Sequence, residues 1–141
     1  MITAIVAVLV LALVVALVVM VAVDPGPPPA DVALAYEHAW DGFDFASLWA
    51  LSGDELRDGL GRKQFVAAKT AAYAGQRALG HLARSVAVED VRTGETIATV
   101  RTRVDLRDGG VAHNEMQLVK RATRWVVVEY RLRSDAPPAT S

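Results

Sequence analysis

No cysteine occurs among the 141 residues, which removes disulfides, thiolate nucleophiles and cysteine-ligated zinc. No charged side chain precedes Asp24, and the first basic residue is Arg57. With a net charge of −1 the chain lacks the positive field of a nucleic-acid binder. Catalytic signatures are missing too. Gly59-Leu60-Gly61-Arg62-Lys63 lacks the spacing and the following Ser or Thr of a phosphate loop, and reads as a turn between helices. There is no Gly-x-Ser-x-Gly elbow, and His38, His81 and His113 share no helical ligand spacing. Neither a cofactor nor a metal is expected.

What is present begins with a long apolar run. From Ile2 to Val23 every residue is Ile, Val, Leu, Ala, Met or Thr, and a helix of that length measures about 33 Å against a hydrocarbon core of about 30 Å. The run is too long for a signal-peptide core and lacks a preceding positive charge. Residues 1–23 are therefore expected to be a retained, single-pass signal anchor. The positive-inside rule has almost nothing to act on, and Asp24 on the far flank favours a C-terminal part outside the cytoplasm. Residues 24–30, rich in Pro, read as a stiff linker.

Charge then divides the rest. Residues 31–60 carry seven acids and one base, whereas residues 61–141 carry fourteen bases and eight acids. From Asp31, placed as an N-cap, Val32, Tyr36, Ala39 and Phe43 mark one helical face, and Gly42 loosens its end. A short helix spans Phe45 to Leu51. Ser52-Gly53-Asp54-Glu55 has capping-box spacing, with Leu51 and Leu56 as a staple. Arg62 to Ala74 predicts a third helix with Phe65, Ala68, Ala72 and Tyr73 inward. After Gly80 the period falls to two. Leu82 to Val91 predicts a strand, and Thr96 to Leu106 alternates cleanly. Asp108-Gly109-Gly110 turns the chain into Val111–Arg121, and Arg124 to Arg133 closes the set with Val126, Val128, Tyr130 and Leu132 on one side. The fold class is α+β: about three helices on a curved antiparallel sheet of about four strands, over residues 31–133. Residues 134–141 read as a disordered tail.

Tyr36 and Trp40 on the opening helix, the segment Phe43-Asp44-Phe45-Ala46-Ser47-Leu48-Trp49-Ala50-Leu51-Ser52, and Arg124-Trp125-Val126-Val127 after Leu118-Val119-Lys120-Arg121 carry a resemblance. The layout resembles the nuclear transport factor 2-like superfamily, also called cystatin-like or ketosteroid isomerase-like. In outline the chain is similar to actinobacterial membrane proteins associated with Mce lipid-import systems. The resemblance implies a conical pocket, used for catalysis in some members and for binding or packing in others. It transfers no catalytic residue.

Strand parity places Asn114 and Tyr130 inward, and the expected pocket wall is Tyr36, Trp40, Tyr73, Asn114 and Tyr130. Glu37, His38 and Asp41 read as a solvated helix face, and His113, Glu115 and Glu129 as solvent-facing. Arg101, Arg103, Arg107, Arg131, Arg133 and Trp125 share the outer parity, an interaction face for an acidic protein, anionic headgroups or a second copy. Three readings stay open. The first is a membrane-anchored, non-enzymatic accessory domain contacting another envelope or membrane protein, with no role in nucleic-acid binding. The second is a domain holding a small apolar ligand in the pocket. The third is an enzyme of the isomerase or cyclase type, which would require a buried carboxylate in the pocket.

Overall fold

The computed structural model describes residues 2–22, 26–76 and 80–133, the side chains of residues 18–22 excepted. Part of the expected linker, residues 24–25, and the expected tail, residues 134–141, lie outside the described residues. Helix α1 is Ile2–Ala22, and its described side chains, Ile2 to Leu17, are all exposed. Among the described residues no helix is long and apolar enough to cross a membrane.

Helix α2, Pro29–Asp41, starts two residues before the predicted N-cap. Pro29 takes the first helical position, where its fixed φ and missing N–H cost nothing, and Asp31 lies in the first turn, near the positive end of the helix dipole. Its C-terminus forms a Schellman turn: Asp44 N–H donates to the Ala39 carbonyl at 2.8 Å and Phe43 N–H to the Trp40 carbonyl at 3.2 Å. The left-handed residue of that turn is Phe43, at φ 52°, and not the neighbouring Gly42 at −88°. A left-handed Phe costs about 1–2 kcal/mol, and stacking of its ring on Phe45 and Tyr73, centroids 5.6 and 5.4 Å away, offsets that cost.

Helix α3, Phe45–Leu51, is capped by Asp44, which accepts from the Ser47 backbone N–H at 3.1 Å and its hydroxyl at 2.6 Å. The capping box predicted at Ser52 does not form. Ser52 is fully buried, and its hydroxyl turns back to the Leu48 carbonyl at 2.6 Å. Its backbone pairs with Val127, and Gly53 N–H donates to the Val127 carbonyl at 2.7 Å. Contact with the sheet outweighs the local cap, leaving only a short 3-10 turn at Asp54–Leu56. Helix α4, Arg62–Ala72, buries Phe65, whereas Ala68 and Ala72, expected inward, are exposed.

Strands β1 (Ala83–Thr93), β2 (Ile97–Leu106), β3 (Val111–Arg121) and β4 (Arg124–Leu132) form an antiparallel meander in sequence order. Ala98, Val100, Thr102 and Val104 alternate inward as predicted, and the turn before Val111 closes with Leu106 N–H on the Gly110 carbonyl at 2.8 Å. The core joins Ala98, Val100, Met116, Leu118 and Val127 of the sheet to Val32, Tyr36 and Leu48 of the helices. Pairing of β3 with β4 slips between Gln117 and Leu118: Gln117 faces Glu129, but Leu118 faces Val127. Val128 is the extra residue of a bulge, which reverses strand parity. Trp125, assigned from unbroken alternation to the outer face, therefore enters the core at 9% exposure beside Val127, while Tyr130 still faces inward.

The β3–β4 turn is Ala122-Thr123, both at positive φ, 48° and 69°. Such a two-residue turn normally uses Asn-Gly. Thr123→Gly is expected to raise the free energy of unfolding by about 1 kcal/mol, measured by denaturant titration. An unchanged midpoint would show that the turn carries no strain.

Candidate functional site

Glu37 lies one residue beyond Tyr36 on α2 and was expected to face water. It is 5% exposed. Its Oε1 accepts from Thr102 Oγ1 of β2 and Asn114 Nδ2 of β3, both at 2.9 Å, and its Oε2 accepts from the Tyr130 hydroxyl of β4 at 2.9 Å. Asn114 Nδ2 also donates to the Tyr130 oxygen at 3.1 Å. Three strands thus direct one donor each at a single helical carboxylate. Burying that carboxylate without partners would be very costly, and these donors make its position tolerable. None of the ion pairs among the described residues reaches it.

Beside this cluster is a cavity of about 460 Å³. Trp40, Tyr73, Asn114 and Tyr130, all expected as wall residues, line it, together with Glu37 and Asp41. Tyr36 does not line it. Its buried ring instead packs edge-on against Tyr130, centroids 5.2 Å apart. The remaining wall is apolar, from residues such as Val86, Val104 and Ala112 on the inner sheet face. Tyr73, past the end of α4, and Phe43 reach the wall through the aromatic cluster that contains Trp40, 5.9 Å from Tyr73. Asp41 holds the rim: its Oδ1 accepts from Ala83 N–H at 2.9 Å, and its carbonyl from His81 N–H at 2.7 Å.

Sequence reasoning missed Glu37 and Asp41 because acids on an amphipathic helix default to solvent. A signal existed in the spacing. Ala33, Glu37 and Trp40 continue one stripe at i, i+4 and i+7, next to the one chosen, and Asp41 lies one turn beyond Glu37.

The expected interaction face breaks into local ion pairs. Arg101 and Arg131 both bind Glu115, through Nε at 3.0 and 2.9 Å. Arg103 pairs with Asp105 at 3.1 Å, and Arg107 Nε donates to the His81 carbonyl at 3.0 Å at the cavity end of the sheet. Arg133 binds Glu89 at 2.6 Å. With Asp90 and Glu129 on the same face as Arg101 and Arg131, no uniformly basic surface remains. Among the described residues no three His, Asp or Glu side chains gather as a metal site.

Burial, the Glu37 charge and the bond to Glu37 push the Tyr130 phenol far above its ordinary pKa, and burial also raises Tyr36. The folded state therefore keeps protons that the unfolded chain releases near pH 10. Stability is full below about pH 10 and declines as pH rises past it. Tyr130→Phe is expected to cost about 1–3 kcal/mol at neutral pH, since it strips Glu37 Oε2 of its donor, and to make the alkaline decline shallower. Unfolding curves across that range check both outcomes.

No protein family profile and no curated protein matches the chain. Solved structures do. A Campylobacter jejuni protein, provisionally named an NTF2-like transpeptidase, aligns at TM-score 0.51 and 17% identity over 72% of this chain and 97% of its own. A SEC-C motif-containing protein from Rhodopseudomonas palustris aligns at TM-score 0.52 and 18% identity over 73% of this chain and 77% of its own. An NTF2-like protein of unknown function from Silicibacter pomeroyi reaches TM-score 0.49 at 17% identity, over 73% and 91%. At such identities likeness speaks for architecture alone, and the architecture of this chain is the nuclear transport factor 2-like fold.

Proposed function

We propose that the chain is a small-molecule-binding domain held at a membrane by α1, its ligand mainly apolar with a hydrogen-bond donor directed at Glu37. The cavity carries this reading: about 460 Å³ of apolar and aromatic wall with a few convergent polar groups, within the usual range of ligand sites, about 300–1,000 Å³. A carboxylate offers about four acceptor positions, and Glu37 uses three on the protein, two at Oε1 and one at Oε2. One position on Oε2 is left for a ligand. A purely scaffolding domain would have no use for this space, which moves the accessory reading behind the binding one.

Anchoring draws support from the exposed apolar side chains of Ile2 to Leu17 and from the apolar sequence that continues to Val23. The domain is placed outside the cytoplasm, as a single-pass ectodomain of the envelope. The resemblance of the sequence in outline to Mce-associated membrane proteins supports this reading.

A proton-transfer enzyme is the second reading, favoured by the burial of Glu37 within the cavity wall, where it could act as base toward a carbon acid.

Native mass spectrometry of the full chain released from lipid nanodiscs is expected to show a retained small molecule, absent in Ala112→Phe, whose added ring fills the cavity. The membrane fraction is expected to hold the chain through alkaline carbonate washing. Release by carbonate would remove the anchor. An unliganded parent, or a variant that retains the same ligand, would remove the binding reading.

A further inference from the structure

The cavity wall is unbalanced in charge. It contains two carboxylates, Glu37 and Asp41, one helical turn apart, and no Lys or Arg among its described lining residues. Asp41 has basic neighbours at the rim: His81 Nδ1 lies 4.0 Å from its Oδ2, and Arg107 is held on the His81 carbonyl. Lys69 approaches the outside of the wall, 5.9 Å from the Trp40 ring centroid, but pairs with Asp58 at 3.7 Å. Among the described residues no basic side chain pairs with Glu37. Its three partners are neutral, and it is the more deeply buried of the two acids. A carboxylate so placed favours a cation, and the rings of Trp40, Phe43, Tyr73 and Tyr130 beside it offer the electron-rich faces that stabilise one.

We propose that the cavity takes a protonated organic amine, a monocation whose apolar body lies among the aromatic rings and whose ammonium N–H reaches Glu37 Oε2. The inference rests on the small-molecule-binding reading and names its ligand class. Charge-assisted hydrogen bonds are shorter and stronger than neutral ones, so an amine gains from Glu37 what an alcohol of the same shape does not. An anion meets both carboxylates and is refused. Asp41 adds a long-range attraction at the mouth, which salt screens more than the buried contact.

The test uses the full chain in lipid nanodiscs, with empty nanodiscs as the blank, titrated calorimetrically with phenylbutylamine, phenylbutanol and phenylbutyrate at neutral pH. The amine is expected to bind roughly tenfold or more tightly than the alcohol, and the acid not at all. Glu37→Gln keeps an acceptor at Oε1 and removes the charge. It is expected to abolish the preference for the amine over the alcohol. Should Glu37→Gln fail to fold, Asp41→Asn, which keeps the Ala83 bond, is expected to weaken the amine alone, and less so in high salt. Equal affinity for amine and alcohol, or a preference for the acid, overturns the cation inference and leaves the binding reading standing. Failure of all three to bind overturns both.

Discussion

Glu37 ties the two layers of this domain together. One carboxylate on α2 collects Thr102, Asn114 and Tyr130, each at 2.9 Å, from β2, β3 and β4. Apolar packing between helices and sheet fixes how close the layers come, but it tolerates sliding, because burial of area is non-directional. Three directed bonds do not. They set the rotation of α2 about its axis and its position against β2, β3 and β4 beside the cavity.

That arrangement carries its own cost. Each donor is worth about 1 kcal/mol while paired, but an orphaned donor or acceptor in the same place costs about 1–3 kcal/mol. The network is therefore all or nothing: complete, it specifies one packing, and with a member removed it penalises the fold. The same property prepares the site. A carboxylate held by neutral partners in an apolar wall has its geometry fixed before a ligand arrives, so binding need not order it. Phe43, in a left-handed conformation at the end of α2, is a second case in which local strain is retained to place a ring in the wall.

Much of the sheet was legible in the sequence because period-two alternation and Gly-rich turns are local signals. β3 begins and ends where predicted, at Val111 and Arg121, and the inward Ala98, Val100, Thr102 and Val104 follow from parity alone. Two kinds of feature were not legible. The Val128 bulge leaves no mark in composition, and one extra residue carried Trp125 from the expected outer face into the core. Glu37 is the second kind. Its partners are 65, 77 and 93 residues away, so apart from its place on the stripe of Ala33 and Trp40 little near it distinguishes it from a solvated acid such as Asp31 one helical turn and a half earlier. Ser52 shows the same lesson in reverse: the local capping pattern was correct as chemistry, and the neighbouring strand competed successfully for the residue. Asn114 and Tyr130 were found, as inward polar residues in a strand, but their common acceptor was not.

The central claim is that the Glu37 carboxylate, and not the apolar contact around it, holds α2 in register on the sheet. Equilibrium unfolding of Glu37→Leu, followed by tryptophan fluorescence, tests it most directly when compared with the combined variant Glu37→Leu, Thr102→Val, Asn114→Leu, Tyr130→Phe. The single change strands the Thr102 and Tyr130 hydroxyls and leaves Asn114 Nδ2 only the Tyr130 oxygen; it is predicted to cost about 3 kcal/mol, and the combined change, which strands none, is predicted to recover most of that loss. A single variant within about 0.5 kcal/mol of the parent would contradict the account, and so would a combined variant that is less stable than the single one.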